Sequence, residues 1–572
     1  MTSRPAHSLA IALAQLNPTV GDMAGNAAKV RVARAQAKGE GADLVVFPEL
    51  CISGCPLEGL ALQPAFQAAC RATVESLARD TADGGPALLI GTPWVEAGKL
   101  YNAVCLLDAG RIAALRFKVN FPSRGVFSEA DVFTAGPMPG PVSFRGVRLG
   151  IPVGDDIASD EVVECVAETG AELLIVPGAS LYWRGRDDVR LSMAVARVTE
   201  SGLPLIAVNQ VGGQDEFVFD GASFALHDDC SLALQLPAFA ESIVTTRWGR
   251  QADGWRCVDG PVAPAQDDER SDYSACVLAL RDYTAKRGFP GVLVALSGDV
   301  DSALCAAMAV DALGPECVTA FVLPGRAVPA SVLADAKGIA DRLGIKCSVL
   351  PIEPALNGIE QAIASALTDG TTEKSIEGHA RSAMLAALAD RLGLILVHAS
   401  NKSQFLIGHA TLSGDANAFN PIKDLHGSEV QKLAHLRNAW RPADARGADG
   451  VVIPENVVAS ALADQDGADA LPSYEVLDAI LGRLVERGEA VADVAAAGFD
   501  REIVARVAGL IFSAECRRRL TAPGPRITLQ SVSGGLRYPI ANRFTDTGEN
   551  LPPPDATLYP PPLTTRTDPV DF

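Results

Sequence analysis

The chain alternates short apolar runs with longer amphipathic stretches along most of its length. Segments such as LAIALAQLNP (9–18), ADLVVFPEL (42–50) and ELLIVPG (172–178) have the length and residue content of buried strands. Between several of them lie Ala-rich segments, for example NAAKVRVARAQAKGEG (26–41), which are predicted to form amphipathic helices. This alternation is typical of α/β proteins, and it predicts the α/β class for both halves of the chain.

Two α/β domains are predicted on either side of a segment with a different composition. The alternation occupies residues 1–252, gives way to a stretch rich in Pro, Asp and Gly over 253–272, and restarts over 273–544. We predict a linker over 253–272. Prolines cluster again in residues 545–572, which we expect to extend over a surface or onto a partner as a tail.

Charge and composition limit the possible functions. The 49 Lys and Arg against 69 Asp and Glu give a net charge of −20, which argues against a nucleic-acid partner or an anionic membrane surface. We find neither a signal-peptide pattern nor an apolar run of transmembrane length, so a cytoplasmic location is expected. The 12 cysteines lack metal-site spacing, and we expect buried reduced thiols such as Cys105 and Cys305.

A strand, a tight loop and a helix are predicted around residues 297–302. The run GVLVAL precedes the loop Ser-Gly-Asp-Val-Asp-Ser, and an Ala/Leu-rich stretch follows it. Such an arrangement directs backbone N–H groups and a helix N-terminus at an anion. The loop resembles the SGGxDS loop of the ATP-pyrophosphatase families, and Asp299 stands at its second glycine, where the resemblance implies close approach of a phosphate to the backbone. Two like charges about 4 Å apart repel by roughly 4 kcal/mol at an effective dielectric of 20, which weakens binding about a thousandfold.

Two charged residues follow predicted strands in the first half. Glu49 comes directly after the run LVVFP, and Lys118 lies in RFKVNFPS. The ends of strands are suitable positions for catalytic groups on an α/β scaffold. Either residue alone is more simply explained as a solvated surface charge.

Longer segments of the first half resemble the nitrilase-type amidase superfamily. The resemblance runs through AQLNPTVGDMAGNAAKV, FPELCISGCPLEGL, VFSEADVFTAGPMPGPV and GAELLIVPGAS, and NQVGGQDEFVFDGASF is similar to the glutaminase domain of glutamine-dependent NAD⁺ synthetases. It implies an α-β-β-α sandwich and a Glu–Lys–Cys triad in which Glu49 is the base, Lys118 stabilises the tetrahedral intermediate and a cysteine forms a thioester. Gly154 stands where that cysteine belongs, so glutamine hydrolysis by this mechanism is predicted to be absent. Further pocket positions also depart from the family: Cys55, Arg124 and Gly178.

The second half resembles the NAD⁺ synthetase domain, a Rossmann-like parallel sheet of the ATP-pyrophosphatase type. Matching segments are LRDYTAKRGFPGVLVALSGDVDSAL, ASNKSQFLIGHATLSGDANAFNPIKDL, LPSYEVLDAIL and AECRRRLTAPGPRI. The resemblance implies that ATP and Mg²⁺ adenylate the carboxylate of nicotinic acid adenine dinucleotide, after which ammonia displaces AMP. It also implies a remnant nucleotide site at Ser297, Gly298, Asp299, Asp301, Ser302, Arg381, Thr411 and Asp424, with Asp301 a remnant metal ligand.

Several positions depart from the pattern of that domain. Gln404 stands where the resemblance implies a glutamate ligand of magnesium, and it removes a negative charge that a hard divalent cation needs. Gly427 replaces a lysine that would contact ATP phosphate. A segment expected to bind the dinucleotide departs at three positions: Lys374, Ser375 and His379. Binding of ATP and Mg²⁺ is therefore doubtful, and synthetase turnover is predicted to be lost or strongly impaired.

These features together predict a catalytically degenerate homologue, a pseudoenzyme that co-assembles with or modulates an active NAD⁺ synthetase paralogue. The resemblance implies a homo-oligomer, from a dimer up to an octamer or a larger assembly. Two alternatives stay open. One is a residually active ammonia-dependent ligase that uses ATP and nicotinic acid adenine dinucleotide, and the other is a nucleotide-binding sensor without turnover.

Overall fold

A computed structural model shows two α/β domains, as the hydrophobic pattern predicts. The residues that it describes are 7–121, 129–251, 254–326, 328–363, 373–410, 417–459 and 471–548. The part of the predicted tail that follows residue 548 lies outside them.

The first domain alternates strands with helices. Its strands are β1 (Ser8–Gln15), β2 (Leu44–Val46), β3 (Ala87–Glu96), β4 (Lys99–Asp108), β5 (Arg111–Phe117), β6 (Val142–Phe144), β7 (Val147–Gly150), β8 (Leu173–Gly178), β9 (Leu205–Asn209), β10 (Val211–Gln214), β11 (Phe217–Asp220), β12 (Phe224–Leu226), β13 (Leu232–Gln235), β14 (Ser242–Arg250) and β15 (Trp255–Cys257). Its helices are α1 (Met23–Gly39), α2 (Pro64–Asp80), α3 (Asp160–Glu168) and α4 (Arg186–Ser201).

Two sheets of the first domain pack face to face. One has the order β15-β14-β1-β2-β3-β4-β5 and the other β13-β12-β9-β8-β7-β6, while β10 and β11 form a separate hairpin. Because successive side chains of a strand point to opposite faces, Val46 lies in the core between the sheets whereas Val45 packs with residues of α1 and α2. Ile175 and Leu174 divide in the same way between the central core and the layer of α3 and α4. The domain is therefore the expected α-β-β-α sandwich.

The second domain is built on one smaller sheet with helices around it. Its strands are β16 (Val292–Ala295), β17 (Val318–Val322), β18 (Lys346–Val349), β19 (Ile395–Val397) and β20 (Ala418–Phe419). Its helices are α5 (Asp268–Lys286), α6 (Val300–Leu313), α7 (Ala330–Leu343), α8 (Glu353–Ile363), α9 (Glu373–Leu392), α10 (Lys402–Ile407), α11 (Gly427–Ala439), α12 (Glu455–Val458), α13 (Tyr474–Leu481), α14 (Val491–Ala496), α15 (Arg501–Ser513) and α16 (Glu515–Arg518).

The sheet of the second domain is parallel throughout, in the order β18-β17-β16-β19-β20. Residues 292–294 of its central strand are fully buried, as expected when both faces of a parallel sheet are covered. From the central strand β16 the chain passes to β17 on one side of it, whereas β19 pairs with the opposite edge of β16. The loops that follow β16 and β19 therefore diverge and leave a crevice at the carboxyl ends of the strands, the usual ligand position in open α/β sheets.

The connection between the domains is shorter than the linker predicted over 253–272. Residues Trp255–Cys257 pair with β14 as an edge strand of the first sheet, and α5 already begins at Asp268. Asp282 of α5 ties the helix to the first domain, because its Oδ2 accepts hydrogen bonds from Asn17 Nδ2 and Gly213 N, both at 2.6 Å.

Two expectations from composition can be compared with the fold. The cysteines are free, and Cys105 and Cys305 are fully buried, as predicted. Within the described ranges, the helices are all too short or too polar to cross a membrane.

Candidate functional site

Glu49 and Lys118 meet in the interior of the first domain. Glu49 follows β2 and Lys118 follows β5, and their exposed fractions are 3% and 1%. Lys118 Nζ lies 3.0 Å from Glu49 Oε1. The structure therefore brings together the two residues that the sequence analysis selected, and it excludes the alternative that either is a solvated surface charge.

Two further carboxylates contact the same ammonium group. Lys118 Nζ lies 2.6 Å from Glu129 Oε2 and 3.1 Å from Asp155 Oδ2, while Asn102 Nδ2 donates to Glu49 Oε1 at 2.6 Å. The sequence analysis missed these residues. Glu129 lies within the quoted segment VFSEADVF and Asp155 directly follows Gly154, so both positions were available to it.

The protonation of this cluster follows from burial and from its excess of carboxylates. Burial raises the pKa of Glu49 to about 7, because Lys118 only partly offsets the loss of water and the repulsion by Glu129 and Asp155. Burial opposes the charged form of Lys118, yet the surrounding carboxylates hold its pKa well above the usual value. Glu49 can therefore exchange a proton near neutral pH, as a general base requires.

Gly154 lies directly against the Glu49 carboxylate. Its φ of +53° is in the left-handed region, and a Cβ atom added to it would lie 2.3 Å from Glu49 Oε2. The carboxylate thus occupies the space of a side chain at position 154. The adjoining cavity has a volume of about 50 Å³, which accommodates very few waters.

Among the residues that the structure describes, the groups around this cavity do not supply another nucleophile. Its lining residues include Ser180 and Ser223, whose hydroxyls are engaged by Arg186 Nε at 3.0 Å and by Gln15 Oε1 at 2.8 Å. Burial, reinforced by the charge of Glu49, raises the pKa of the nearby Cys55 thiol well above its usual value, so it stays protonated.

Gly178 and Arg124 are the other two pocket positions that depart from the family, and the structure describes only the first. A Cβ atom on Gly178 would meet only ordinary contacts, at 3.8 Å from Val208 O. Glycine therefore leaves open space that a larger residue would fill. Arg124 lies outside the described residues.

Asp299 caps the helix that follows the predicted phosphate loop. Its Oδ1 accepts from Ser302 N at 2.8 Å and its Oδ2 from Ser297 Oγ at 2.8 Å, so the loop supplies its own carboxylate at the N-terminus of α6. The backbone of Asp299 is extended, with φ of −98°, so its conformation alone is open to any residue. Gly298 is the position that needs glycine, with φ of +81° and Val332 Cγ1 2.8 Å from an added Cβ.

Asp301 faces the crevice and accepts hydrogen bonds from two amides. Asn401 Nδ2 donates to both of its oxygens, at 3.1 and 3.2 Å, and Gln404 Nε2 donates to Oδ2 at 3.0 Å. Burial, with the charge of Asp299 second, raises the pKa of Asp301 to about 7. Asp301 was predicted to be a remnant metal ligand and Gln404 to stand in place of a second one; in the structure Gln404 donates a hydrogen bond to Asp301.

Tyr474 occupies the space beside Gly427. A Cβ atom on Gly427 would lie 2.3 Å from Tyr474 Cδ1. The ring therefore occupies the space that a side chain at position 427 would need. The Tyr474 hydroxyl accepts from Asn401 Nδ2 at 2.9 Å and Gln404 Nε2 at 3.1 Å. Sequence reasoning missed Tyr474, since SYEVLDAIL carried no chemical signal beyond its resemblance to the family.

The remaining predicted nucleotide residues have internal partners or lie outside the described ranges. The fully buried Asp424 accepts from Ile527 N and Thr528 N, both at 2.8 Å, and thereby anchors that chain segment. Arg381 Nη2 lies 2.8 Å from Glu377 Oε1 one helical turn away, and His379 is exposed. Outside the described part fall Thr411 and the side chains of Lys374 and Ser375.

The crevice does not fit the magnesium ion that the resemblance implies. Divalent Mg²⁺ needs oxygen ligands, whereas two NH₂ groups face the Asp301 carboxylate. Across the described ranges, no group of three or more His, Cys, Asp or Glu side chains is arranged to hold a metal ion.

Comparison with known proteins relates both sites to one family. The carbon-nitrogen hydrolase model matches residues 10–251 and the NAD synthase model residues 272–521. The glutamine-dependent NAD(+) synthetase of Rhodobacter capsulatus is 42% identical over 94% of this chain and 99% of its own length. The structure of glutamine-dependent NAD⁺ synthetase from Acinetobacter baumannii in complex with ADP is 32% identical, with a TM-score of 0.73 over 94% of this chain and 99% of that one. The corresponding Cytophaga hutchinsonii structure, at 20% identity, has a TM-score of 0.78 over 94% of this chain and 98% of that one, a likeness of fold.

Proposed function

The chain belongs to the glutamine-dependent NAD(+) synthetase family, and we propose that it is a member whose two active sites have both degenerated. Its role is then to assemble with an active synthetase of the same family and to modulate it. The observation that carries the proposal is the glycine at position 154, which supplies no thiol for Glu49 and Lys118 to activate.

Loss of the glutaminase reaction follows from that glycine. A thioester needs a thiol within reach of the base. The hydroxyls in the cavity are held by Arg186 and Gln15, and the Cys55 thiol stays protonated. The pair of Glu49 and Lys118 retains the means to move a proton, but within the described part of the cavity no thiolate or free hydroxyl is placed to attack a substrate.

Loss of the synthetase reaction is supported by three internal replacements in the crevice. The Asp299 carboxylate occupies the N-terminus of α6, the Gln404 amide contacts Asp301, and the Tyr474 ring fills the space beside Gly427. The carboxylate and the amide stand where the resemblance implies a glycine and a glutamate, and the ring fills the space of the side chain that Gly427 lacks. Binding of ATP and Mg²⁺ is therefore expected to be weak.

The catalytic part of the proposal is tested on the purified full-length chain. One assay follows glutamate release from glutamine, and a second follows AMP release from ATP with Mg²⁺, ammonia and nicotinic acid adenine dinucleotide. The Rhodobacter capsulatus synthetase serves as the positive control. We expect no glutamate and no AMP above the blanks, and glutamate release by the wild-type chain would refute the proposal.

A second candidate is a residual ammonia-dependent ligase. The loop still begins α6, and Ser297 Oγ lies 3.0 Å from Ser302 Oγ with Gly298 in its left-handed conformation. This candidate predicts AMP release without glutamate release in the same pair of assays. Calorimetric titration with ADP distinguishes this candidate from a nucleotide sensor, because a sensor would bind ADP but release no AMP in the activity assay.

The proposed assembly has its own test. An intact framework supports it, since the apolar cores of both domains are filled and Arg184 joins them by ion pairs with Asp272 and Glu429. The tagged chain is co-expressed with an active family member from the same organism and purified through the tag. Recovery of both chains at a fixed ratio, with altered synthetase activity, is expected. Elution of the tagged chain alone would refute the role as a partner.

A further inference from the structure

The amides that face Asp301 are fixed in orientation by the start of α10. Asn401 Oδ1 accepts from Gln404 N at 3.0 Å, and Gln404 Oε1 accepts from Asn401 N at 3.2 Å. This reciprocal pair satisfies backbone N–H groups at the helix N-terminus. Because both amide oxygens are used there, only the NH₂ groups of the two side chains remain for Asp301.

Tyr474 closes the network from the opposite side. Its hydroxyl oxygen accepts from the same two NH₂ groups, and its ring is 5% exposed. The ring can approach this closely because residue 427 is glycine. The Asp301 carboxylate therefore faces two NH₂ groups, which donate hydrogen bonds to it and repel a cation that approaches.

We propose that the amides of Asn401 and Gln404, which also donate to the Tyr474 hydroxyl, take the place of a divalent cation at Asp301, and that the side chain at position 404 decides whether a cation binds there. The proposal deepens the proposed function, on which it rests, by assigning the loss of cation binding to one residue. A glutamate at 404 would keep one oxygen for Asn401 N and place the other beside Asp301. Two adjacent buried carboxylates repel each other and recruit a hard divalent cation.

The experiment measures cation binding to Gln404→Glu by the full-length chain, with Mn²⁺ as a paramagnetic probe and Mg²⁺ as competitor. Gln266→Glu is the matched control, because it adds the same charge at an exposed position before α5. The double variant Gln404→Glu/Asp301→Asn retains only one of the two carboxylates. We expect Mn²⁺ affinity to rise at least about tenfold in Gln404→Glu alone, since ligand charge sets such affinities, and Mg²⁺ to raise its melting temperature.

The outcomes separate this inference from the proposed function. Mn²⁺ affinity in Gln404→Glu equal to that of Gln266→Glu, with the variant folded, would overturn the inference. If Gln404→Glu does not fold without a cation, Asp301→Asn in the otherwise unchanged chain gives the answer, because it should leave Mn²⁺ binding unaltered. Mn²⁺ binding by the wild type that Asp301→Asn abolishes would overturn the inference even when both activity assays are blank. Activity in those assays refutes the proposed function instead.

Discussion

Asp299 combines a hydrogen-bonding cap with a negative charge, and two substitutions separate these properties. Asp299→Asn keeps an oxygen that can accept from Ser302 N, whereas Asp299→Ala removes both the oxygen and the charge. The cap matters because α6 is buried over its whole length, and its first N–H groups have few other partners. The two variants should therefore differ in stability.

The size of the difference follows from the contacts. Loss of an Asp or Asn cap to Ala costs about 1 kcal/mol, and Asp299→Ala should lose this much stability to unfolding. In Asp299→Asn the lost attraction between the charge and the helix dipole amounts to about 0.3–1 kcal/mol. Relief of the repulsion that helps to raise the pKa of Asp301 offsets it. We expect Asp299→Asn to stay within about 0.5 kcal/mol of the wild type.

Urea denaturation near neutral pH measures the two stabilities, and calorimetric titration with ADP measures the effect of the charge. Removal of the carboxylate in Asp299→Asn should strengthen ADP binding, by up to about a thousandfold if the full repulsion is relieved. An equal loss of stability in both variants would refute the capping argument. Unchanged ADP affinity in Asp299→Asn would refute the argument from charge.

Three further predictions address other contacts. The pKa of Glu49 is raised from 4.5 to about 7, so the folded state holds the proton more tightly than the unfolded chain and its stability falls as pH rises between these values. Glu49→Gln should match the wild type below about pH 4 and exceed its stability by about 3 kcal/mol above about pH 7. An equal difference in the free energy of unfolding at all pH values would contradict this. Gly427→Ala should lower the free energy of unfolding by about 1–3 kcal/mol, because its Cβ would lie 2.3 Å from the Tyr474 ring. Thermal unfolding of Gly427→Ala/Tyr474→Leu should show that removal of the ring restores part of this stability. If it does not, the strain lies elsewhere. In the wild type, Arg437 Nε lies 2.6 Å from Asp311 Oδ2. Arg437→Met leaves the buried Asp311 without this ion pair and should lower the free energy of unfolding in urea by about 3–5 kcal/mol. A loss below about 1 kcal/mol would show that Asp311 finds another partner.

The local patterns of the chain determined its architecture and one chemical conclusion. Alternating apolar runs such as 42–50 specify strands whose neighbouring side chains divide between two cores, and the structure follows them in Val45 and Val46. The absence of a nucleophile at Gly154 is likewise a local fact, because a glycine has no side chain in any environment. Resemblance added the positions of Glu49 and Lys118, which the fold brings within 3.0 Å.

Only the tertiary structure decided which partners the charged and polar groups of the sites acquire. Glu129 and Asp155 meet Lys118 because separate loops converge at the ends of the sheets. Tyr474 reaches Asn401 across 73 positions of the chain. Asp299, selected from the sequence as a carboxylate in a phosphate loop, also caps the helix that follows it. Sequence shows which groups are present, but their energies depend on burial and on non-local neighbours, which exist only after the chain has folded.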